Sequence, residues 1–242
     1  MKNLFLILLL ASIGLNIYAQ KKPNSSKKEV MLGTTEAFER LPKLRVSAAS
    51  ATAFNQLPSP KAWTMPHIET ENGHFYLQTA KGKQKFKAYS DGGASKGWNG
   101  YELLGFLPRL KYYAISNNSS AEGIGFGQLF LLDTQTGFRY NIASFGDWHV
   151  GLPLPSVNYL NFVYYDNTAY QHKNTDIGIL QFNPKAPAGK AWKAIASLHS
   201  DDFAVEEIRW ASDSVFYIKG YEEVYQQQKW LKNYSYYKVE LP

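Results

Sequence analysis

The chain contains no cysteine among its 242 residues. It can therefore form no disulfide, no thiolate metal site and no cysteine nucleophile. It also lacks the cysteine that carries the lipid of a lipoprotein, so we expect free release rather than a lipid anchor. Stability must come from a hydrophobic core, which a chain of this length can bury.

Long hydrophobic runs are equally scarce. The longest apolar stretch, from Leu4 to Leu15, follows Lys2 and precedes the small residue Ala19. A positive start, a short apolar run and a small terminal residue are typical of a secretory signal peptide, and the run is too short for a permanent membrane span. We predict a signal peptide at residues 1–19 and a periplasmic or secreted protein that is soluble after cleavage, without stable membrane insertion.

An excess of one charge sign is confined to a short segment. The formal net charge is +6, but residues 20–45 hold seven basic and three acidic residues, and the chain from Val46 onward holds 18 basic and 17 acidic ones. Nucleic-acid-binding proteins carry a concentrated basic face on the folded domain. The distribution argues against a nucleic-acid partner and predicts a flexible basic arm and linker over residues 20–62.

The rest of the chain is rich in aromatic residues, which make up 15% of the sequence. Runs such as Tyr112–Ile115 and Leu160–Tyr165 favour β-strands, and turn residues separate them at short intervals. Few segments have the spacing of an amphipathic helix. The sequence predicts an all-β domain over residues 63–242, built from antiparallel β-meanders.

The first meander can be read in register. The two-residue hairpin signal Asn72-Gly73 and a second turn at Lys81-Gly82 define three strands. They predict four cross-strand pairs: Glu71 with His74, Glu69 with Tyr76, Tyr76 with Lys87, and Leu77 with Phe86. Because side chains alternate along a strand, one face collects the apolar residues Ile68, Phe75, Leu77, Phe86 and Ala88.

The opposite face of this meander carries His67, Glu69, Glu71 and His74. Imidazole and carboxylate groups on one side form a workable set of ligands for a divalent metal. An exposed sheet face carries the same residue types for ordinary cross-strand pairing with lysine. These four residues are weak metal candidates, and we predict neither a bound metal nor a cofactor.

A weak internal repeat follows. Leu129–Asp133 leads to a strand ending at Ser144, Ile177–Gln181 leads to one ending at Ser197, and a third copy starts near Ile208. The repeat length is roughly 50 residues, as in the blades of β-propellers. The repeat favours a partial or small β-propeller, and a plain run of hairpins is the alternative.

Several segments carry a resemblance to a known group. Tyr101–Phe106, Leu110–Tyr113, Leu132–Gly137 and the signal ending Ala19-Gln20 resemble exported β-propeller-like proteins of Bacteroidota, over roughly residues 101–242. The resemblance implies a fold and an exported location. It implies no activity, because such proteins have none assigned.

One loop combines residues suited to ligand binding. Between two glycines, Asp147, Trp148 and His149 offer a stacking surface and hydrogen-bonding groups. Alternatively, the loop connects strands and Trp148 fills the core. Trp98, Trp230, Tyr164 and Tyr221 also fall near predicted loops or strand ends, and aromatic residues suit binding surfaces as well as cores. The candidate binding residues are Trp98, Asp147, Trp148, His149 and Tyr164.

No catalytic residue is predicted. The chain has no Gly-x-Ser-x-Gly motif. His199–Asp202 contains the residue types of a triad, but residues adjacent in sequence seldom supply triad geometry, and Ser200-Asp201-Asp202 is interpreted as a turn. Asp91–Gly97 is glycine-rich without the spacing of a phosphate-binding loop and is interpreted as a surface loop.

These observations favour an exported, non-enzymatic binding module that engages a protein partner in the periplasm or envelope through aromatic loops. An immunity or inhibitor protein is one concrete version. The first alternative is an envelope carbohydrate-binding protein, and the second is a hydrolase with an unrecognised site.

Overall fold

Strands dominate the architecture. The computed structural model describes residues 28–91, 98–121, 124–167 and 172–242. The expectation of an all-β protein is confirmed, since the helices among the described residues span only five residues each. In chain order the elements are β1 (Glu29–Leu32), α1 (Thr35–Glu39), β2 (Arg45–Ala48), α2 (Ala51–Asn55), β3 (Glu69–Glu71), β4 (His74–Thr79), β5 (Gly82–Lys87), β6 (Ser90–Asp91), β7 (Trp98–Leu107), β8 (Tyr112–Ala121), β9 (Ile124–Asp133), β10 (Arg139–Ile142), β11 (Leu154–Pro155), β12 (Asn161–Asn167), β13 (Thr175–Phe182), β14 (Trp192–Ser200), β15 (Ala204–Trp210), β16 (Val215–Gln226) and β17 (Lys229–Glu240).

Most strands pair with their neighbours in sequence, so the sheets are meanders. Sheet I has the order β3-β4-β5, and sheet II has the order β1-β10-β9-β8-β7-β6. Sheet III has the order β11-β12-β13-β14, and sheet IV has the order β15-β16-β17-β2. Pairing within these sheets is antiparallel except between β1 and β10. The two N-terminal strands thus complete sheets II and IV.

The sheets pack face to face in the order I, II, III, IV. Because side chains alternate along a strand, β8 directs Ile115 to the core shared with sheet I and Ala114 to the core shared with sheet III. In the same way β12 directs Tyr164 towards sheet II and Val163 towards sheet IV. Sheets II and III are therefore covered on both faces, which explains uninterrupted apolar runs such as Leu129–Leu132.

The segment predicted as a flexible basic arm, residues 20–62, is folded from Glu29 onward, so that expectation is wrong there. β1 and β2 pair into sheets, and Thr34 and Ser50 cap the two helices by accepting main-chain N–H groups. The basic residues lie at the surface, while widely spaced apolar residues enter separate cores. These buried residues are Leu32, Phe38, Leu44 and Phe54.

The predicted signal peptide, residues 1–19, and the start of the arm, residues 20–27, lie outside the described residues. So do residues 92–97 of the glycine-rich segment. Within the part of the chain that is described, no helix has the length and apolar character needed to cross a membrane.

Sheet I confirms the predicted apolar face. The register across Asn72-Gly73 is as predicted, with Glu71 opposite His74. Phe75 and Phe86 are buried and stack with ring centroids 5.3 Å apart. The hairpin signal therefore located both the turn and the inward side chains.

The second turn of sheet I is displaced from the predicted position. Leu77 lies opposite Gln84 rather than Phe86, because the turn is at Ala80-Lys81, where the Thr79 hydroxyl donates a hydrogen bond across it. The register therefore differs by two residues. Since the side-chain period is also two, the buried face is unchanged.

The weak repeat corresponds to successive meanders in sheets II, III and IV. Its copies fall on β9 with β10, on β13 with β14, and on β15 to β17. The described strands form no closed barrel or propeller. The coarse prediction of antiparallel meanders is confirmed.

Candidate functional site

The four metal candidates on sheet I are engaged in other contacts or exposed. Glu69 forms an ion pair with Lys83, and Nδ1 of His74 lies 2.8 Å from the carbonyl oxygen of Asn72. Glu71 is exposed, as is His67, which precedes β3. Among the described residues, no group of three or more histidine, aspartate and glutamate side chains is arranged to hold a metal ion.

The loop that carries Asp147, Trp148 and His149 lies against the edge of sheet II. The N–H of Gly127 donates to the carbonyl of Asp147 at 2.8 Å. Trp148 is 42% exposed, so it does not fill the core. Phe145 packs inward instead, and its ring stacks on Tyr164 with centroids 5.5 Å apart. The loop therefore presents Trp148 beside His149, with ring centroids 5.3 Å apart.

Tyr164 is buried, contrary to the prediction that it is a binding residue at the surface. Its side chain is 0% exposed and lies in the core between sheets II and III. The Phe38 ring lies edge-on to the Tyr164 ring, with ring centroids 6.0 Å apart. Trp98 begins β7, where its main chain pairs with Asp91, but its side chain lies outside the described residues. The five candidates therefore do not form one site.

The hydroxyl of Tyr164 has no hydrogen-bond partner among the described residues, although it is buried. Burial raises the pKa of this hydroxyl well above its ordinary value. Burying an unpaired hydroxyl costs roughly 1–3 kcal/mol. We expect Tyr164→Phe to raise the free energy of unfolding by about 1 kcal/mol, measured by urea denaturation.

A matched tyrosine provides the control for this prediction. The hydroxyl of Tyr140, in the same core, accepts the N–H of Gly189 at 2.9 Å. Tyr140→Phe should therefore destabilise by about 1 kcal/mol, since it leaves that N–H without its acceptor. A loss of stability in Tyr164→Phe similar to that in Tyr140→Phe would contradict the assignment of an unpaired hydroxyl.

Sheet III carries a row of titratable groups that the sequence reading missed. Asp166 on β12, Asp176 on β13 and His199 on β14 are direct cross-strand neighbours. Burial, with a contribution from the nearby Asp176 carboxylate, raises the pKa of Asp166 to about 6. The His149 side chain opposes this shift. The row thus contains a carboxyl group whose pKa is raised well above that of an exposed aspartate.

Both ring nitrogens of His199 face carboxylates. Nδ1 lies 2.8 Å from Oδ1 of Asp176, and Nε2 lies 3.4 Å from Oδ1 of Asp201. The hydrogen bond with Asp176 raises the pKa of His199 above its ordinary value. An imidazole whose two nitrogens both donate has no lone pair for proton abstraction. This geometry favours an ion-paired imidazolium over a general base.

A pocket of about 310 Å³ adjoins this row and is lined by α1 on one side and β14 on the other. Ser197 lies in it, but its hydroxyl donates to the carbonyl of Phe38 at 2.6 Å and accepts from Nζ of Lys43 at 3.0 Å. A hydroxyl proton held by a main-chain carbonyl is not available to a catalytic base. We interpret the hydrogen bonds of Ser197 with Phe38 and Lys43 as contacts that hold α1 against sheet III. Of the predicted turn Ser200-Asp201-Asp202, Asp201 and Asp202 form a bend, while Ser200 is the last residue of β14.

The longest strands form a hairpin that extends beyond sheet IV. β15 pairs with β16 only as far as Tyr221, and β2 pairs with β17 only from Tyr237 onward. The outer part of the hairpin, between Glu222 and Asn233, is therefore a two-stranded ribbon. Near its base, the N–H of Glu223 donates to the carbonyl of His172 at 2.9 Å. Among the described strands, the ribbon extends beyond the parts of β15 and β2 that flank it in sheet IV.

One side of this ribbon is aromatic. Tyr221 lies opposite Tyr234 and Tyr225 lies opposite Trp230, so all four side chains share a face. We call these four residues the aromatic face. Tyr225, Trp230 and Tyr234 are 60%, 54% and 44% exposed. Nζ of Lys219 lies 4.0 Å from the ring centre of Tyr234.

His172 and Lys232 add polar groups to the aromatic face. The His172 ring stacks on Trp230 with centroids 4.0 Å apart. Nζ of Lys232 lies 3.9 Å from the ring centre of Tyr221 and donates to Glu206 at 2.7 Å. Aromatic residues are enriched at protein interfaces, and a cation over a ring face is attracted to it electrostatically.

No protein-family model, curated protein or solved structure matches this chain.

The aromatic face was only partly visible in the sequence. The sequence places Tyr221 and Trp230 near strand ends, but it does not by itself join Tyr225 and Tyr234 to them. The signal that would have joined them is the alternation of aromatic residues on both sides of Gln227-Gln228, which brings them to one face of a hairpin. The row formed by Asp166, Asp176 and His199 was not predicted, because its members lie on three different strands.

Proposed function

We propose that this protein is an exported, non-enzymatic binding module that engages a protein partner through the aromatic face of the β16–β17 hairpin. The observation that carries the proposal is the exposure of Tyr225, Trp230 and Tyr234 on a ribbon that extends beyond its flanking strands. Large aromatic side chains supply the anchors of protein interfaces. A partner that covered this ribbon would bury surface that is otherwise exposed to water.

The shape of the ribbon favours a protein over a carbohydrate. Sugar-binding sites are concave and hold the ligand in a cleft. The aromatic face lies on a hairpin that extends beyond its flanking strands, and such a hairpin fits into a partner's cleft rather than forming one. Inhibition of an enzyme by insertion of the hairpin, as by an immunity or inhibitor protein, is a concrete version of the proposal.

The proposal also includes the exported location and a propeller-like arrangement. The apolar run from Leu4 to Leu15 supports export. The face-to-face packing of four consecutive meanders, with β2 completing the last sheet, supports an arrangement related to propeller blades.

The test is affinity capture from the envelope fraction of the source organism with mature wild-type protein and with Trp230→Ser. We expect one protein to be retained by the wild type, to bind the purified protein at equal stoichiometry, and to bind Trp230→Ser at least about tenfold more weakly. Isothermal titration calorimetry with both purified proteins measures the affinities.

Trp148→Ser is the matched control, because Trp148 is exposed to a similar extent as Trp230. It should bind the partner as the wild type does. If Trp148→Ser loses binding and Trp230→Ser retains it, the loop is the contact surface and the assignment to the hairpin is wrong. Saturable binding of an oligosaccharide that Trp230→Ser abolishes, with no protein captured, would replace the protein partner by a carbohydrate.

A further inference from the structure

Among the residues that the structure describes, the outer half of β17 forms an open sheet edge. β2 covers β17 only between Tyr237 and Glu240, and the N–H of Ala49 donates to the carbonyl of Tyr236 at 2.8 Å just beyond it. Between Lys229 and Ser235, no described strand lies on that side of β17. Exposed edges of this kind are templates for the addition of another strand.

The main-chain groups that face this open edge can be identified from the hydrogen bond at Tyr236. In an antiparallel strand, the N–H and C=O of one residue point to the same side, and the side alternates from residue to residue. Since the carbonyl of Tyr236 points towards β2, the N–H and C=O groups of Trp230, Lys232 and Tyr234 point the same way. Those of Leu231 and Asn233 point to β16.

The three outward-facing residues also carry side chains of the aromatic face. Trp230 and Tyr234 lie on it, and Lys232 lies between them. An added strand would therefore place its own side chains beside two exposed rings and an ammonium group. Main-chain bonding and side-chain recognition coincide on one edge, as in domains that bind peptides by strand addition.

The charge of the edge selects the partner. The outer half of β17 carries Lys229 and Lys232 and no acidic residue. The glutamates of the adjacent ribbon strand, Glu222 and Glu223, already face Lys173 and His172. The ion pair of Lys232 with Glu206 is partly exposed, and an ammonium group retains donors for a second carboxylate.

A second copy of this chain is a poor occupant of the edge. If two copies paired through this edge in antiparallel orientation, with all three outward residues of each copy bonded, Lys232 of one copy would lie directly opposite Lys232 of the other. Like charges in direct cross-strand positions destabilise a sheet. The edge therefore suits a strand of different sequence with acidic side chains.

We propose that the β17 edge binds an extended acidic segment of a partner protein by strand addition, with carboxylates at alternate positions on the side of Lys232. This inference deepens the proposed function and rests on it. It assigns the main-chain groups of Trp230, Lys232 and Tyr234 to the partner and specifies the charge of the bound segment.

The first test uses a capped heptapeptide, acetyl-Thr-Glu-Val-Glu-Val-Glu-Thr-amide, and its counterpart with lysine in place of each glutamate. We expect saturable binding of the acidic peptide, about tenfold tighter than that of the lysine peptide, by calorimetry. Amide exchange followed by nuclear magnetic resonance should slow at Trp230, Lys232 and Tyr234. No saturable binding, equal affinity for both peptides, or protection elsewhere would overturn the proposal.

The second test separates main-chain from side-chain recognition. Lys232→Pro and Lys232→Ala both remove the ammonium group, but only proline also removes the outward N–H. Proline is tolerated on an edge strand whose N–H faces solvent, so the ribbon should persist, and circular dichroism checks this. We expect Lys232→Pro to bind the acidic peptide about fivefold more weakly than Lys232→Ala, because one main-chain hydrogen bond is lost.

The outcomes distinguish this inference from the proposed function. If the captured partner depends on Trp230 but binds Lys232→Pro and Lys232→Ala equally, contact is through side chains alone, and strand addition is wrong while the proposed function stands. If Trp230→Ser captures the partner as well as the wild type does, the proposed function is wrong, and the inference that rests on it is wrong as well. Concentration-dependent dimers in sedimentation, with the same three amides protected, would identify a second copy as the occupant and overturn the acidic partner.

Discussion

Replacing Gly178 with alanine is expected to lower the free energy of unfolding by about 3 kcal/mol. Gly178 on β13 lies between Tyr164 on β12 and Ser197 on β14 in the cross-strand register. A Cβ atom at this position would lie 2.5 Å from Cζ of Tyr164. The ring cannot move aside, because Phe145 stacks on it and Phe38 contacts its edge.

Urea denaturation of the wild type and Gly178→Ala measures this effect. Gly151→Ala is the control, because no atom lies within 4 Å of a Cβ added there and the same side-chain change is made without crowding. It should change stability by less than about 1 kcal/mol. In a Tyr164→Leu background the cost of Gly178→Ala should fall by about half, since the smaller side chain frees the space. A cost at Gly178 that matches the control, or that persists unchanged in the Tyr164→Leu background, would disprove the steric assignment.

The tyrosine that makes this contact illustrates what sequence reading could and could not supply. Runs of aromatic and β-branched residues predicted β12, and the prediction of a strand is confirmed. Its central position in sheet III, covered on both faces, could not be inferred, because the partners that bury Tyr164 come from α1, from Phe145 and from β13. An aromatic residue looks the same in sequence whether its strand lies at an edge or in the centre.

Turn signals explain the uneven accuracy for hairpins. Asn72-Gly73 favours positive backbone angles at both turn positions, so its hairpin could be predicted in register. The β16–β17 turn has φ values of 49° at Gln227 and 63° at Gln228. Glutamine adopts this conformation rarely, so nothing in the residues marks the turn, and the ribbon that carries the aromatic face was not predicted.

The folded N-terminal segment shows a third limit. Its basic and small residues are typical of a linker, yet Leu32 and Leu44 enter different cores, and β1 and β2 extend different sheets. Pairing with β10 and β17 bridges a long sequence separation. Local composition carries no information about such partners, which is why the segment was interpreted as flexible.

The same dependence on distant partners gives Asp166 its unusual titration. Burial and the neighbouring Asp176 carboxylate raise its pKa from an ordinary value of 3.8 to about 6. The folded state therefore holds the proton more tightly than the unfolded state. The stabilising contribution is fully present below the ordinary pKa and is lost as pH rises towards 6. Above that range, the folded protein contains a charged, partly buried carboxylate, which lowers the free energy of unfolding by a constant amount.

Asp166→Asn should remove this cost. At pH 7.5 we expect the free energy of unfolding to rise by about 1–2 kcal/mol, a value reduced from the full pKa shift because the carboxyl group is partly exposed to solvent. Near pH 4, where the carboxyl group is largely protonated, the difference from the wild type should be small. Urea denaturation at intervals from pH 4 to pH 8 provides both values.

Two comparisons decide whether Asp166 is the source of the difference. Asp147→Asn makes the same chemical change at an exposed carboxylate of the nearby loop and serves as the control. The pKa of His199 is also raised, so the stability from this residue is present below its ordinary pKa of 6.5 and is lost as pH rises through the raised value. His199→Gln should therefore lower the free energy of unfolding by a constant amount below about pH 6.5, and its difference from the wild type should shrink only as pH rises above that value. The decisive quantity is the difference in the free energy of unfolding between Asp166→Asn and the wild type. If this difference does not change between pH 4 and pH 6, or if Asp147→Asn gives the same change, burial of Asp166 does not control its carboxyl group.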